Sequence, residues 1–141
     1  MKRMSTIILI FLFSIPAFAP AEIFLPIPKA EPIRVFDPML YSFQFVESSF
    51  DTDTVNSLGY GGILQIGQEM VDEANRICIL TGNPACFVLD DRLDSTKSVQ
   101  MWYIAQNYWN PKYELRKACK IWNPMASEKY YLKLKKMINN L

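Results

Sequence analysis

The chain has 141 residues, 50% of them hydrophobic and 21% charged, which is the composition of one small folded domain. Lys and Arg number 15 against 14 Asp and Glu, so a net charge of +1 provides no electrostatic footprint for a nucleic-acid backbone. The absence of His removes the usual general base at neutral pH, any Ser/His or Cys/His nucleophile pair and the commonest transition-metal ligand. Chemistry in this chain rests on carboxylates, amides, hydroxyls or thiols.

Met1-Lys2-Arg3 precedes an apolar run from Ile7 to Phe13, then Ser14 and a small-residue segment ending Ala19-Pro20-Ala21. This order reads as a secretory signal peptide over residues 1–21, with Glu22 as the expected mature start because Pro20 disfavours cleavage after Ala19. An uncleaved anchor fits less well, since Pro16 and Pro20 interrupt a run shorter than the ~20 residues a bilayer requires. Removing residues 1–21 takes Lys2 and Arg3 from the 15 basic residues, leaving 13 against 14 acidic ones and a net charge of −1. The expected location is periplasmic or extracellular, with no integral membrane segment after cleavage. In that oxidising setting Cys78 and Cys86 are a candidate disulfide pair closing the Thr81-Gly82-Asn83-Pro84 turn, and a reduced pair stays open as the alternative. Cys119 falls on an expected helix, where a buried thiol is the simplest expectation. Three widely spaced Cys without His make no convincing metal site, and no cofactor is implied.

Residues 22–36 hold Pro26, Pro28 and Pro32 among Ile, Leu and Phe, an expected extended N-terminal arm. The globular part is expected over 37–141. Asp37-Pro38 is an N-cap followed by Pro at the first helical position, and Met39, Leu40, Phe43 and Val46 recur at helical spacing, predicting a helix over about 38–49. A polar stretch from Asp51 to Gly62 leads to a second helix at about 67–80, with Met70, Ala74, Ile77 and Cys78 on one face. Asp94 or Ser95 caps a third in which Met101, Ile104, Ala105 and Tyr108 share a face. Asn110-Pro111 ends it, residues 112–121 form a fourth, and Ser127 to Asn139 a fifth. The fifth carries a Tyr130, Leu134, Met137, Ile138, Leu141 stripe opposite a solvated face of Lys133, Lys135 and Lys136. No segment alternates strongly with period 2 and no repeat is visible, so the expected fold is small and mostly α.

The informative stretch is Glu47-Ser48-Ser49-Phe50, followed by Gly59-Tyr60-Gly61-Gly62-Ile63-Leu64-Gln65-Ile66. It sets one carboxylate at the end of an amphipathic helix beside a Gly-rich turn and a Gln. The negative end of the helix dipole and apolar neighbours such as Phe43 and Phe50 both disfavour charge on Glu47, which raises its pKa and suits a general acid.

This run resembles the signature of the soluble lytic transglycosylase family, a goose-type lysozyme-like fold that cleaves bacterial peptidoglycan. The family pattern is Glu-Ser-x-Phe, a variable stretch, then Gly-x-x-Gly-Leu-Met-Gln-Ile. Gly59 and Gly62 take the two Gly positions, Ile63 and Leu64 replace Leu and Met, and Gln65 and Ile66 match. A second motif, Ala-x-Tyr-Asn followed by Gly, is echoed by Ala118-Cys119-Lys120-Ile121-Trp122-Asn123, and Glu128-Lys129-Tyr130-Tyr131 is similar to the family's last helix. Three departures stand out. Asn56 replaces a Ser that many members carry, Trp122 replaces a Tyr that lies near the catalytic carboxyl, and Pro124-Met125 stands where a Gly is usual.

Hydrolytic glycosidases ordinarily need two carboxylates flanking the bond, and this motif supplies one. The resemblance implies that Glu47 protonates the oxygen between N-acetylmuramic acid and N-acetylglucosamine. It then takes the proton of the muramyl 6-hydroxyl, which closes a 1,6-anhydro ring. The partner is a peptidoglycan glycan strand, and no protein partner is indicated. Ser48 is expected to orient the carboxyl, with Asn56, Gln65, Trp122 and Asn123 contacting substrate; Asp51 and Asp53 are available if the enzyme instead hydrolyses. A hydrolytic muramidase and a non-catalytic wall-binding or assembly protein on the same fold are the alternatives.

Overall fold

The computed structural model describes residues 36–141, and within them lie five α-helices and no β-sheet. The expected signal peptide (1–21) and nearly all of the expected arm (22–36) lie outside the described residues. No helix among the described residues is long and apolar enough to cross a membrane.

The first helix, α1 (Pro38–Ser48), starts where its cap dictates: Asp37 Oδ1 accepts from the amides of Met39 (3.0 Å) and Leu40 (3.2 Å), and Pro38 occupies the first turn. It ends with Ser49 in the left-handed region (φ 56°), whose N–H closes on carbonyls of the preceding turn. Helix α2 (Gln68–Thr81) buries Val71, Ala74, Ile77 and Cys78, with Met70 packed at the margin of the core, and Gly82 caps it at φ 67°.

A 3-10 turn at Leu89–Leu93, absent from the sequence expectation, carries the chain to α3 (Ser95–Trp109), where Asp94 supplies the cap. The buried face of α3 is Ser98, Met101, Trp102, Ala105 and Gln106. That is a rotation from the expected stripe: Tyr108 is exposed and Ile104 only half-buried. Trp102 causes the rotation, because it offers the largest apolar surface on the helix and is buried completely.

Helix α4 (Leu115–Trp122) begins later than expected. Tyr113 adopts φ 57°, and Asn110 wraps the break by accepting from the Glu114 amide (2.9 Å) and donating to its carbonyl (3.0 Å). Helix α5 (Glu128–Asn139) is capped by Ser127 and buries Leu134, whereas Leu141, expected on the core stripe, is largely exposed.

Helix α1 packs on α5 and α2 on α3, with α4 against both α3 and α5. The core at their meeting point holds Phe43, Leu64, Ile66, Met101, Trp102 and Leu134, all at most 1% exposed. Trp102 lies 4.5 Å, centroid to centroid, from Phe43 and 4.8 Å from Trp122. Burying each large apolar side chain stabilises the fold by roughly 1.5–3 kcal/mol before entropy is charged against it. Leu64 and Ile66 come from the Gly-rich turn, so the turn is anchored in the core.

The three cysteines are free thiols, Cys78 and Cys119 buried and Cys86 exposed. The candidate pair Cys78 and Cys86 are both unbridged here, one buried and one exposed, and lie close enough for Cys86 to act electrostatically on the Cys78 thiol. Burial raises the Cys78 and Cys119 thiol pKa values, and the neighbouring Cys86 adds to the rise at Cys78.

Candidate active site

Two backbone features of the segment between α1 and α2 build the site. Isolated antiparallel bridges pair Val55 with Gly61 and Gly61 with Ile66, folding residues 55–66 into a compact double turn. Gly59 and Gly62 adopt φ values of 85° and 75°, left-handed conformations that glycine enters without steric cost. At Gly62 space is as restrictive as torsion, since a Cβ there would stand 1.8 Å from the Arg92 carbonyl oxygen. That oxygen already accepts from Ser98 Oγ at 2.7 Å and belongs to the turn leading into α3. Gly62→Ala is accordingly expected to destabilise the protein by roughly 2 kcal/mol or more, visible as a lower urea midpoint with an unchanged m-value.

Glu47 occupies the last turn of α1 and is half-buried. One of its carboxylate oxygens accepts a short hydrogen bond from the Tyr130 hydroxyl, which reaches it from α5. Among the described residues the other oxygen has no protein partner. Burial raises the Glu47 pKa above the ordinary carboxylate value, against the Tyr130 hydrogen bond and the Lys133 charge, which both lower it. The direction is the one expected from the sequence, and of the two expected causes it is burial among apolar neighbours that leads. The Tyr130 pKa is pushed up by burial and by the Glu47 charge, so its phenol stays a proton donor to the carboxylate.

Glu47 opens into a groove of about 350 Å³ whose other lining residues are Asn56, Tyr60, Gln65, Trp122, Asn123 and Pro124. Its volume lies at the small end of the range of ligand clefts. Five of the six residues singled out in the sequence thus meet in one place. Ser48 is the exception: its hydroxyl donates to the Ile63 carbonyl at 2.9 Å and lies within 3.3 Å of the Gln44 carbonyl, behind the groove. Ser48 fastens the end of α1 to the Gly-rich turn rather than orienting the Glu47 carboxyl.

The amides are mostly committed. Asn56 Oδ1 accepts from the amides of Leu58 (2.9 Å) and Tyr60 (3.1 Å), and Gln65 Nε2 donates to the Gly62 carbonyl (3.1 Å) and approaches that of Thr54 (3.4 Å). Asn56 Nδ2 donates to Gln65 Oε1 at 3.2 Å. What remains is one N–H on Asn56 beside one acceptor lone pair on Gln65, an adjacent donor and acceptor that match a single hydroxyl. Asn123 Oδ1 accepts from the Met125 amide at 3.0 Å, which shapes the turn where a Gly was expected. The Trp122 indole N–H donates to the Leu64 carbonyl at 3.1 Å, so towards the groove this residue offers only its ring.

No family model, curated protein or solved structure matches the chain.

Among the described residues Glu47 is the sole carboxylate lining this groove. Asp51 is committed elsewhere, its Oδ1 accepting from the amides of Asp53 (2.9 Å) and Thr54 (3.1 Å) in a tight turn. Three of the four non-Gly residues with positive φ among the described residues, Ser49, Phe50 and Gln65, sit beside Glu47 or in the groove wall, a concentration of backbone strain typical of functional sites. No group of His, Cys, Asp and Glu among the described residues is arranged to hold a metal ion. Sequence reasoning missed Tyr60 and the polar role of Tyr130. Tyr130 was legible only as an apolar stripe member, because its partner lies 83 residues away; Tyr60 lay inside the motif, at a position the family pattern leaves variable.

Proposed function

We propose that this chain is a peptidoglycan lytic transglycosylase with a lysozyme-like fold, exported to the periplasm or cell exterior. It would cleave the β-1,4 bond between N-acetylmuramic acid and N-acetylglucosamine and leave a 1,6-anhydromuramyl end. The observation that carries this reading is a single, half-buried carboxylate with a raised pKa in a neutral groove of amides and aromatic rings.

In the proposed reaction, protonated Glu47 gives its proton to the glycosidic oxygen as the bond to the muramyl anomeric carbon breaks. The resulting carboxylate accepts the proton of the muramyl 6-hydroxyl, whose oxygen closes onto that carbon. Glu47 ends protonated again, and water is not consumed. One group that is acid in one step and base in the next works best with a pKa near the ambient pH. Burial raises it, and Tyr130 and Lys133 keep the carboxylate form accessible. Trp122 stands where the family carries a Tyr near the carboxyl, and the α5 phenol of Tyr130 supplies the hydroxyl there instead. A single carboxylate that serves first as acid and then as base is what ring closure by the 6-hydroxyl asks of the site.

Incubating the protein with purified sacculi is expected to release 1,6-anhydromuropeptides, identified by mass spectrometry. Products ending in reducing sugars identify a muramidase instead, and retention on sacculi without any release identifies a non-catalytic wall-binding protein.

Tyr130→Phe deletes the hydrogen bond that lowers the Glu47 pKa, so that pKa rises further. The alkaline limb of the pH–rate profile, where ionisation of the Glu47 acid removes activity, is expected to move to higher pH, and the maximal rate to fall by about tenfold. A purely structural role for Tyr130 would lower stability without moving that limb.

A further inference from the structure

Tyr60 lines the same groove as Trp122 but in a different mechanical setting. Its main chain is clamped to Asn56: the Asn56 amide donates to the Tyr60 carbonyl at 2.8 Å, and the Tyr60 amide donates to Asn56 Oδ1 at 3.1 Å. Its ring lies against Gly67, where a Cβ would stand 2.5 Å from Cε1 and 2.8 Å from Cδ1. Gly67 is buried and has φ −101°, a conformation open to any residue, so what requires glycine there is the tyrosine ring above it. The same Cβ would also come within 2.7 Å of Glu69 Oε2, but that is the free end of a flexible side chain and can swing away. The ring remains 37% exposed, and among the described residues its hydroxyl has no hydrogen-bond partner.

We propose that Tyr60 is the stacking platform for a pyranose ring of the glycan, and that Gly67 is the positioning residue that seats it. The inference rests on the proposed glycan-cleaving reading and names a determinant of substrate binding within the same groove. A rigid aromatic face suits the C–H face of a sugar, and it costs little entropy because the ring is already held. The adjacent donor–acceptor pair of Asn56 Nδ2 and Gln65 Oε1, next to the clamp on Tyr60, meets one hydroxyl of a sugar so placed. Trp122 lines the same groove, with its indole N–H committed to the Leu64 carbonyl and its ring packed against Trp102.

The test is a double-mutant cycle read by calorimetric titration with the tetramer of N-acetylglucosamine, in the Glu47→Gln background so that no turnover occurs. Tyr60→Ala is expected to weaken binding by about tenfold, and Tyr60→Phe to stay within about twofold of the parent. Gly67→Ala is expected to weaken binding by a similar factor, because its methyl drives the ring off its seat. In the Tyr60→Ala background, however, Gly67→Ala should have no further effect. Unchanged affinity in Tyr60→Ala, additive losses in the double variant, or no binding of the tetramer by the Glu47→Gln parent each overturns the proposal. Failure of the cleavage reading is a separate result: absence of anhydromuropeptides from sacculi treated with the unmodified chain.

Discussion

Glu47→Gln is expected to lower the release of anhydromuropeptides by about 10³-fold or more while leaving the protein folded. General acid–base catalysis contributes roughly 10²–10⁴-fold per positioned group, and here one residue serves both steps, so its loss removes both contributions together. Gln keeps a carbonyl oxygen to accept from the Tyr130 hydroxyl and nearly the same volume, so the groove should retain its shape. Stability should move in the opposite direction to activity. The Glu47 pKa is raised in the folded state, so the native protein binds its proton more tightly than the unfolded chain. Stability contributed by that proton is present below the unfolded value of about 4.5 and is lost as pH rises through the folded value. The neutral amide has no such loss. Thermal melts are therefore expected to show the variant at least as stable as its parent at pH 7, with the difference shrinking towards pH 4. An inactive variant that is also markedly less stable at pH 7 would point to a structural carboxylate and against the catalytic reading.

What was legible in the sequence divides along range. Asp37-Pro38, Asp94 and Ser127 place three helix starts because a cap acts on amides two or three residues away. The positive φ at Gly59 and Gly62 is a similarly local requirement. Features set by distant partners were not legible. Nothing within a few residues of Tyr130 announces that its hydroxyl meets Glu47, and nothing near Gly62 announces the Arg92 carbonyl beneath it. The α3 stripe was misjudged by one step because helical periodicity weighs Ile104 and Trp102 alike, whereas packing against Phe43 and Trp122 does not. Ser48 shows the same limit at close quarters. Its neighbour in sequence is the carboxylate, but its partner in space is a carbonyl of the next turn.

Asp37→Ala is expected to cause the largest loss of stability in the molecule, about 3–5 kcal/mol. Asp37 is only 7% exposed and uses both carboxylate oxygens. Oδ1 caps α1 through the Met39 and Leu40 amides, a role worth roughly 0.5–2 kcal/mol. Oδ2 accepts from the Tyr103 hydroxyl of α3 at 3.1 Å and, through a short bond, from the Tyr113 hydroxyl in the break before α4. Each hydrogen bond to a charged group contributes about 1.5–3 kcal/mol, and the sum is less than additive because the three groups share one network. Trp102 Nε1 lies 3.4 Å from the Tyr113 hydroxyl, so the same network reaches the aromatic centre of the core. A domain of this size has a total stability of about 5–15 kcal/mol, so the variant should melt some 15 °C or more below its parent. Asp37→Asn separates the two roles. Its amide oxygen can still cap α1, but an amide nitrogen in place of Oδ2 would face two hydroxyl donors. A melting temperature between those of the parent and the alanine variant is therefore expected. Equality of the Asn and Ala variants would mean that the link from α1 to Tyr103 and Tyr113, rather than the cap, holds the start of the fold in place.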